Sequence, residues 1–195
     1  DPFSASTDPW SAGNGSIMRL APVPIYYNNS LRDAITYSSE SSKTTHGAEE
    51  SIAGCQLLGS VLWHLLNGTE KNTLLDQSTQ AIAALGTKLA GKIADIGQGA
   101  FHAKLRNEIR GSGYVVDSLE AALWCFYQTE TYRDAVLLAA NLGDDADTTA
   151  AVCGQIAGAH YGYDSIPKEW KERLYMHETI VRLANQLGCS GINPD

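Results

Sequence analysis

The chain of 195 residues is long enough to bury a sizeable core, and its 44% hydrophobic content is ordinary for a globular protein. A formal net charge of −8 argues against a surface that tracks nucleic-acid phosphates, and no apolar run is long enough to span a bilayer, so neither nucleic acid nor membrane is expected as a partner. Cys55, Cys125, Cys153 and Cys189 lie far apart without a Cys-x-x-Cys pair, which reads as buried free thiols in a reducing, cytoplasmic setting and offers no zinc site.

The opening stretch, Asp1 to Asn29, is rich in Pro, Gly, Ser and Asn and lacks helical periodicity. It is expected to be a loop region with short ordered pieces, stiffened at its end by Ala21-Pro-Val-Pro24. Its first residues have neither an initiator Met nor the basic and apolar regions of a signal peptide, and read as the interior of a longer chain. Leu31 to about Ser42 suits a helix. A stronger one is expected from about His46 to Leu66, with Leu58, Val61, Leu62, Leu65 and Leu66 on one apolar face and Asn67-Gly68 as its stop. Little charge lies on its other face, which predicts a central position.

Leu74 to about Leu89 is another helix candidate, followed by a weaker region marked by Gly91, Gly97 and Gly99. Gly111-Ser-Gly113 breaks the chain. Asp117 or Ser118 is the expected cap of a helix bearing Leu119, Ala122, Leu123, Phe126 and Tyr127, and Thr131 the cap of the next. Asp145 to Tyr161 and Pro167 to Leu187 supply the last two helices, with Gly188 as a stop. Nothing alternates at period two, so the expectation is a single all-α domain over residues 1–195 with functional loops between helices.

The densest polar signal is Leu142-Gly-Asp-Asp-Ala-Asp-Thr-Thr149. Asp145 and Thr148 stand three apart and share a face of a first helical turn, with Asp147 close by. Oxygen donors at this density suit a hard divalent cation such as Mg²⁺. Acidic residues and Thr also favour helix starts because they cap free amides and complement the dipole. Both readings stand on these residues alone, although three Asp in four positions exceed what capping requires. Downstream, Gly154, Gly158 and Gly162 recur every four residues and predict close packing of another helix or a ligand against that face.

The run Asn141 to Ala151, continuing through Gly154-Gln-Ile-Ala-Gly158-Ala-His-Tyr-Gly162, resembles the C-terminal signature of the ADP-ribosylglycohydrolases, a family that includes the dinitrogenase reductase-activating glycohydrolase and crystallin J1-like proteins. Ser11-Ala-Gly-Asn-Gly-Ser-Ile-Met-Arg-Leu-Ala-Pro22 resembles the family's substrate loop, and Ser41-Ser-Lys-Thr-Thr-His-Gly47 its His segment. Gly111-Ser-Gly-Tyr-Val-Val116 is similar to the loop that approaches the adenosine half of the ligand. These matches span nearly the whole chain, in the family's order.

The resemblance implies a compact multi-helix ADP-ribosylglycohydrolase-like domain, of which this chain is the C-terminal portion, its N-terminal helices absent. It implies Asp145, Asp147 and Thr148 as ligands in a centre of two Mg²⁺ ions, with Mn²⁺ as a substitute. Asp144 occupies a position that is often Gly in the family and is not assigned as a ligand. Asn14, Gly15 and Ser16 would cradle the distal ribose and phosphates, His46 would sit beside the same ligand, and Ser112, Gly113 and Tyr114 would meet the adenosine half. The implied function is hydrolysis of the bond between ADP-ribose and an acceptor, a protein side chain or a related linkage; the alternative is a non-catalytic ADP-ribose binder or a crystallin J1-like structural protein.

Each of these residues also has a plainer role open to it. Gly13-Asn-Gly15 is a generic turn signal, His46 suits a helix start after Thr45, Ser112 and Tyr114 suit an ordinary loop, and Arg19, either a phosphate contact or a structural salt-bridge partner, better suits the structural role. The chain also departs from the family: the N-terminal Gly-Asp and Asp-Asp-Thr-type motifs, which supply the remaining metal ligands, do not occur before Gly13, and Asp8 fits neither. The expectation is therefore half a metal shell, no assignable catalytic acid or base, and an uncovered apolar face on Ile52 to Leu66. Truncation, natural shortening, or pairing with a separate N-terminal fragment of the same domain would each account for it.

Overall fold

The computed structural model describes residues 2–190; Asp1 of the expected opening loop and positions 191–195 of the expected domain lie outside the described residues. Within that range the backbone forms eleven α-helices and no β-strand, as an all-α reading requires. The opening stretch is more helical than its composition predicts. A 3₁₀ turn at Pro9–Ser11 is capped by Asp8, whose carboxylate accepts from Trp10 N at 2.9 Å. Two short helices follow, α1 (Gly15–Met18) and α2 (Pro22–Tyr26). Both prolines of α2 lie in its first turn, where a missing N–H removes no helical hydrogen bond. Helix α3 (Leu31–Lys43) is capped by Ser30, which accepts from Asp33 N at 3.3 Å.

Helix α4 (Glu49–Leu66) begins later than expected, because the His46 amide turns back to Ser42 O at 2.7 Å and the Gly47 amide bonds Ser6 O at 3.1 Å. Helix α5 (Lys71–Ala84) is displaced from the expected Leu74–Leu89, ending before Gly86, whose φ is +73°. A helix, α6 (Gly91–Gly97), occupies the region expected to be weak: buried Ile93 and Ile96 outweigh the glycine cost. Helix α7 (Val115–Tyr127) starts ahead of both expected caps; Asp117 instead accepts from Ser112 Oγ at 2.7 Å, and Ser118 is buried. Helix α8 (Tyr132–Ala140) is capped by Thr131 as expected, at 3.0 Å from Asp134 N. Helix α9 (Ala146–Tyr161) follows the acidic segment. The single helix expected from Pro167 to Leu187 is two, α10 (Lys168–Arg173) and α11 (His177–Ser190), separated where Met176 adopts a φ of +58°.

Packing centres on α4, which touches α2, α3, α5, α6, α7 and α9. Leu57, Leu58 and Val61 are wholly buried, each contributing about 1.5–3 kcal/mol of apolar burial. Neighbours within the chain therefore cover most of the face expected to be bare, with Leu58, Val61, Leu62 and Leu65 buried, whereas Leu66 at its end is 40% exposed. The buried apolar side chains form one continuous cluster from Ala12 to Ala157. Cys55, Cys125 and Cys153 are buried free thiols, whereas Cys189 is exposed. Gly154 and Gly158 face Tyr132 of α8, where an added Cβ would make ordinary contacts at 3.4 and 3.8 Å. Gly162 is not part of that stripe; it ends α9 with a φ of +81°.

Candidate functional site

The acidic segment opens α9, yet its second carboxylate does not cap the helix. Asp145 occupies the N-cap position without a side-chain bond to a helix amide. Its Oδ1 accepts from Thr148 Oγ1 at 3.0 Å and its Oδ2 from Asn14 Nδ2 at 2.6 Å. The Asn14 bond, opposed by burial and reinforced by Thr148 and Asp147, holds the Asp145 carboxyl below the usual carboxylate range, so it is ionised at neutral pH. Asp147 Oδ1 takes the Thr148 amide at 2.9 Å. Asp144 lies outside this group, exposed, with a φ of +53° that Asp tolerates better than most residues.

Two distant loops converge on Asp145. Asn14 N donates to Gly113 O at 3.0 Å, Val115 N to Ala12 O at 3.0 Å, and Gly13 forms an antiparallel bridge with Tyr114. Asn14 Nδ2 also reaches Ser112 O at 3.3 Å. The second loop lies directly on α9: Asp145 N donates to Gly111 O at 2.7 Å, and a Cβ on Gly111 would sit 2.7 Å from Thr149 Oγ1. Gly113 is exposed, and a Cβ there would project toward Asp145 Oδ2, 3.9 Å away. The cradle is thus open where side chains are missing.

His46 closes one side. Its ring lies against Gly13 and Gly15, and a Cβ on Gly15 would come within 2.8 Å of His46 Cε1. Burial, and then the Arg19 charge, lower the His46 pKa, keeping the imidazole neutral at pH 7. Arg19 itself holds the turn before His46, donating to Ser41 O at 2.8 Å and Thr45 Oγ1 at 2.7 Å, the structural role rather than an ion pair. The residues expected to share a ligand thus do come together, with two reservations of chemistry. The Ser16 side chain is fully buried and leaves only its backbone near the cradle. The Ser112 hydroxyl is engaged by Asp117 and by Tyr114 N at 3.2 Å, so it shapes the loop.

Several residues that hold the site were not among those expected to do so. Gln155 of α9 donates to Ile17 O and Met18 O, both at 3.0 Å, and accepts from Ala21 N at 3.0 Å, fixing the α1–α2 segment to the helix that follows Asp145. A lone amide in a run of Ala, Gly and Ile was a readable signal. Glu50, Lys92 and Trp10 had none. With Gly13, Gly113 and Tyr114 they line a groove of about 590 Å³ beside the cradle, in which Trp10 is 97% exposed.

Asp145, Asp147 and Thr148 offer only oxygen, and Asp147 and Thr148 both lie close enough to Asp145 to help lower its pKa. This donor set fits one side of a hard-cation shell. No set of three or more His, Cys, Asp or Glu side chains among the described residues could close one.

The sequence model of the ADP-ribosylglycohydrolase family matches residues 1–191. The chain is 46% identical over 182 residues to the ADP-ribosylarginine hydrolase Tri1 of Serratia proteamaculans (strain 568), a match covering 93% of the chain and 48% of that protein. It is 30% identical over 174 residues to the ADP-ribosyl dinitrogen reductase glycohydrolase of Rhodospirillum rubrum, covering 88% of the chain and 54% of that protein. It superposes on a solved ADP-ribosylglycohydrolase-related protein complex with a TM-score of 0.86 at 35% identity, over 98% of this chain and 64% of that one. The chain spans about half the length of the curated relatives it matches.

Proposed function

The chain belongs to the ADP-ribosylglycohydrolase family, and we propose that it supplies the ADP-ribose-holding wall, and part of a magnesium centre, of a hydrolase that releases ADP-ribose from ADP-ribosylated acceptors. The observation that carries this reading is the Asn14–Asp145 hydrogen bond, 2.6 Å long, which joins the Gly-Asn-Gly loop to the acidic start of α9 in one cradle. Arginine is the favoured acceptor side chain, since the Serratia relative at 46% identity is named an ADP-ribosylarginine hydrolase.

In this reading Gly113, exposed and without a side chain, lets phosphate or ribose oxygens approach the peptide backbone. Neutral His46 lines the same wall without adding charge, and the Tyr114 ring offers a face to the adenine. Asp145, Asp147 and Thr148 would hold Mg²⁺, whose chemistry when bound is Lewis-acid polarisation of oxygen. Asp145, kept ionised by Asn14, also favours the positive charge that develops at the anomeric carbon as the glycosidic bond lengthens. No residue of this chain is assigned as general acid or base. Three donors leave most of an octahedral shell open, and the reading assigns the rest to polypeptide beyond residues 1–195, such as a separate N-terminal fragment. The unpaired thiols Cys55, Cys125 and Cys153 fit the cytoplasmic placement that goes with it.

The test is titration of the chain with ADP-ribose, with and without Mg²⁺, beside release assays on ADP-ribosylated arginine and serine. Binding strengthened by Mg²⁺, with release from arginine once an N-terminal half is restored, is the expected result. Metal-independent binding with no turnover in either preparation would instead make the protein an ADP-ribose binder. Absence of binding in both preparations overturns the reading.

A further inference from the structure

We propose that Glu50 is a positioning residue for the adenine end of this site, fixing the Tyr114 ring as one wall of the groove. The inference rests on the ADP-ribose reading above and adds a residue that no motif contains. Glu50 stands in the first turn of α4, and Tyr114 immediately precedes α7, 64 residues further along the chain. The Tyr114 hydroxyl donates to Glu50 Oε2. Burial, and then this carboxylate, push the Tyr114 phenol up, so the proton stays on the tyrosine and Glu50 remains the acceptor.

The ring is held at its tip by Glu50, and the Lys92 ammonium lies 5.4 Å from its centroid. Its backbone end is tied as closely: Tyr114 N donates to Ser112 Oγ at 3.2 Å, and the flanking Gly113 O and Val115 N pair with Asn14 and Ala12. The ring that faces the groove is therefore continuous with the peptide that supports Asn14, and a shift of the phenol would be passed to the cradle. A helix-dipole role does not explain Glu50, because Glu49 already places an acidic residue in the same first turn. Of these two acidic residues, Glu50 is the one that meets the phenol.

The experiment measures ADP-ribose affinity by calorimetry for the full chain and four variants: Glu50→Ala, Glu50→Gln, Tyr114→Phe, and the double variant Glu50→Ala/Tyr114→Phe. Glu50→Ala and Tyr114→Phe are each expected to weaken binding about five- to tenfold, the scale of one lost hydrogen bond. Glu50→Gln retains an acceptor and should stay within about twofold of the parent chain, and the double variant should bind no worse than either single one. Tyr114→Phe keeps the ring and every backbone bond, so it decides the matter even where Glu50→Ala lowers stability. A parent chain that binds while Tyr114→Phe binds equally well overturns the positioning role and leaves the function intact. A parent chain that binds no ADP-ribose overturns both.

Discussion

Asn14 Nδ2 donates to Asp145 Oδ2 at 2.6 Å across 131 residues of sequence, so the residue read as a ligand contact is first of all the partner of the residue read as a metal ligand. Asn14 is buried, and its amide spans Asp145 and Ser112 O at once. Replacing it by Asp would set a second carboxylate where the donor now stands. Asn14→Asp is expected to cost about 1–3 kcal/mol in denaturant unfolding at pH 7, the penalty for losing a charge-assisted bond and opposing two charges, and less at pH 4. Equal unfolding midpoints for variant and parent at pH 7 would contradict the role given to this pair.

Gly15 is a packing requirement set by His46. An added Cβ would meet His46 Cε1 at 2.8 Å, so Gly15→Ala should destabilise the chain by about 1–3 kcal/mol through overpacking. Removing the ring in Gly15→Ala/His46→Ala should recover most of that loss relative to His46→Ala alone. Additive losses in the double-mutant cycle would show that the ring is not what excludes a side chain at this position.

Stability should fall with acid in a window set by histidines. His46, His64, His102 and His160 all have pKa values lowered from 6.5, burial being the first cause in each. The folded state therefore binds fewer protons than the unfolded state as pH drops below about 6.5, and the stability present above that value is lost toward the folded pKa values. Denaturant midpoints measured from pH 7.5 to 5 should decline, and His64→Gln, which removes the most deeply buried ring, should flatten the slope. A profile that is level over this range would refute the assignment. Asp145, whose pKa is lowered from 3.8, contributes in the same direction but in a lower window.

Metal removal should leave the fold standing. Both Asp145 oxygens already have donors in the chain, and the core around α4 is built from apolar side chains. EDTA is expected to leave the thermal midpoint within about 2 °C, far less than the loss seen where a structural metal holds a fold together. Mg²⁺ should nevertheless raise ADP-ribose affinity, and Asp145→Ala and Asp147→Ala should each remove that gain. A large EDTA-induced drop in the midpoint would point to a structural ion instead.

What the sequence made legible was whatever local pattern encodes. Thr131 announced its helix because its cap bond spans three residues, and the apolar face of residues 58–66 announced a central helix because burial repeats with the helical turn. The family resemblance brought together Asn14, His46, Gly113, Tyr114 and Asp145, which the fold gathers into one cradle. Local pattern failed where tertiary burial decided: α6 forms despite two glycines because Ile93 and Ile96 are buried, and α7 starts early because Asp117 serves a loop serine instead of a helix amide. Glu50 was invisible as a site residue because its partner lies 64 residues away, and the lone amide of Gln155, although readable, gave no sign of partners 134 or more residues away.

Gln155 has one more consequence. The helix that begins beside Asp145 also grips Ile17, Met18 and Ala21, so the glycine loop between them is moored on both sides to a single rod. A free loop would surrender its motion each time a ligand arrived, and affinity would be reduced by that lost entropy. Here the motion is given up once, when the chain folds, and every later encounter meets two segments already in register.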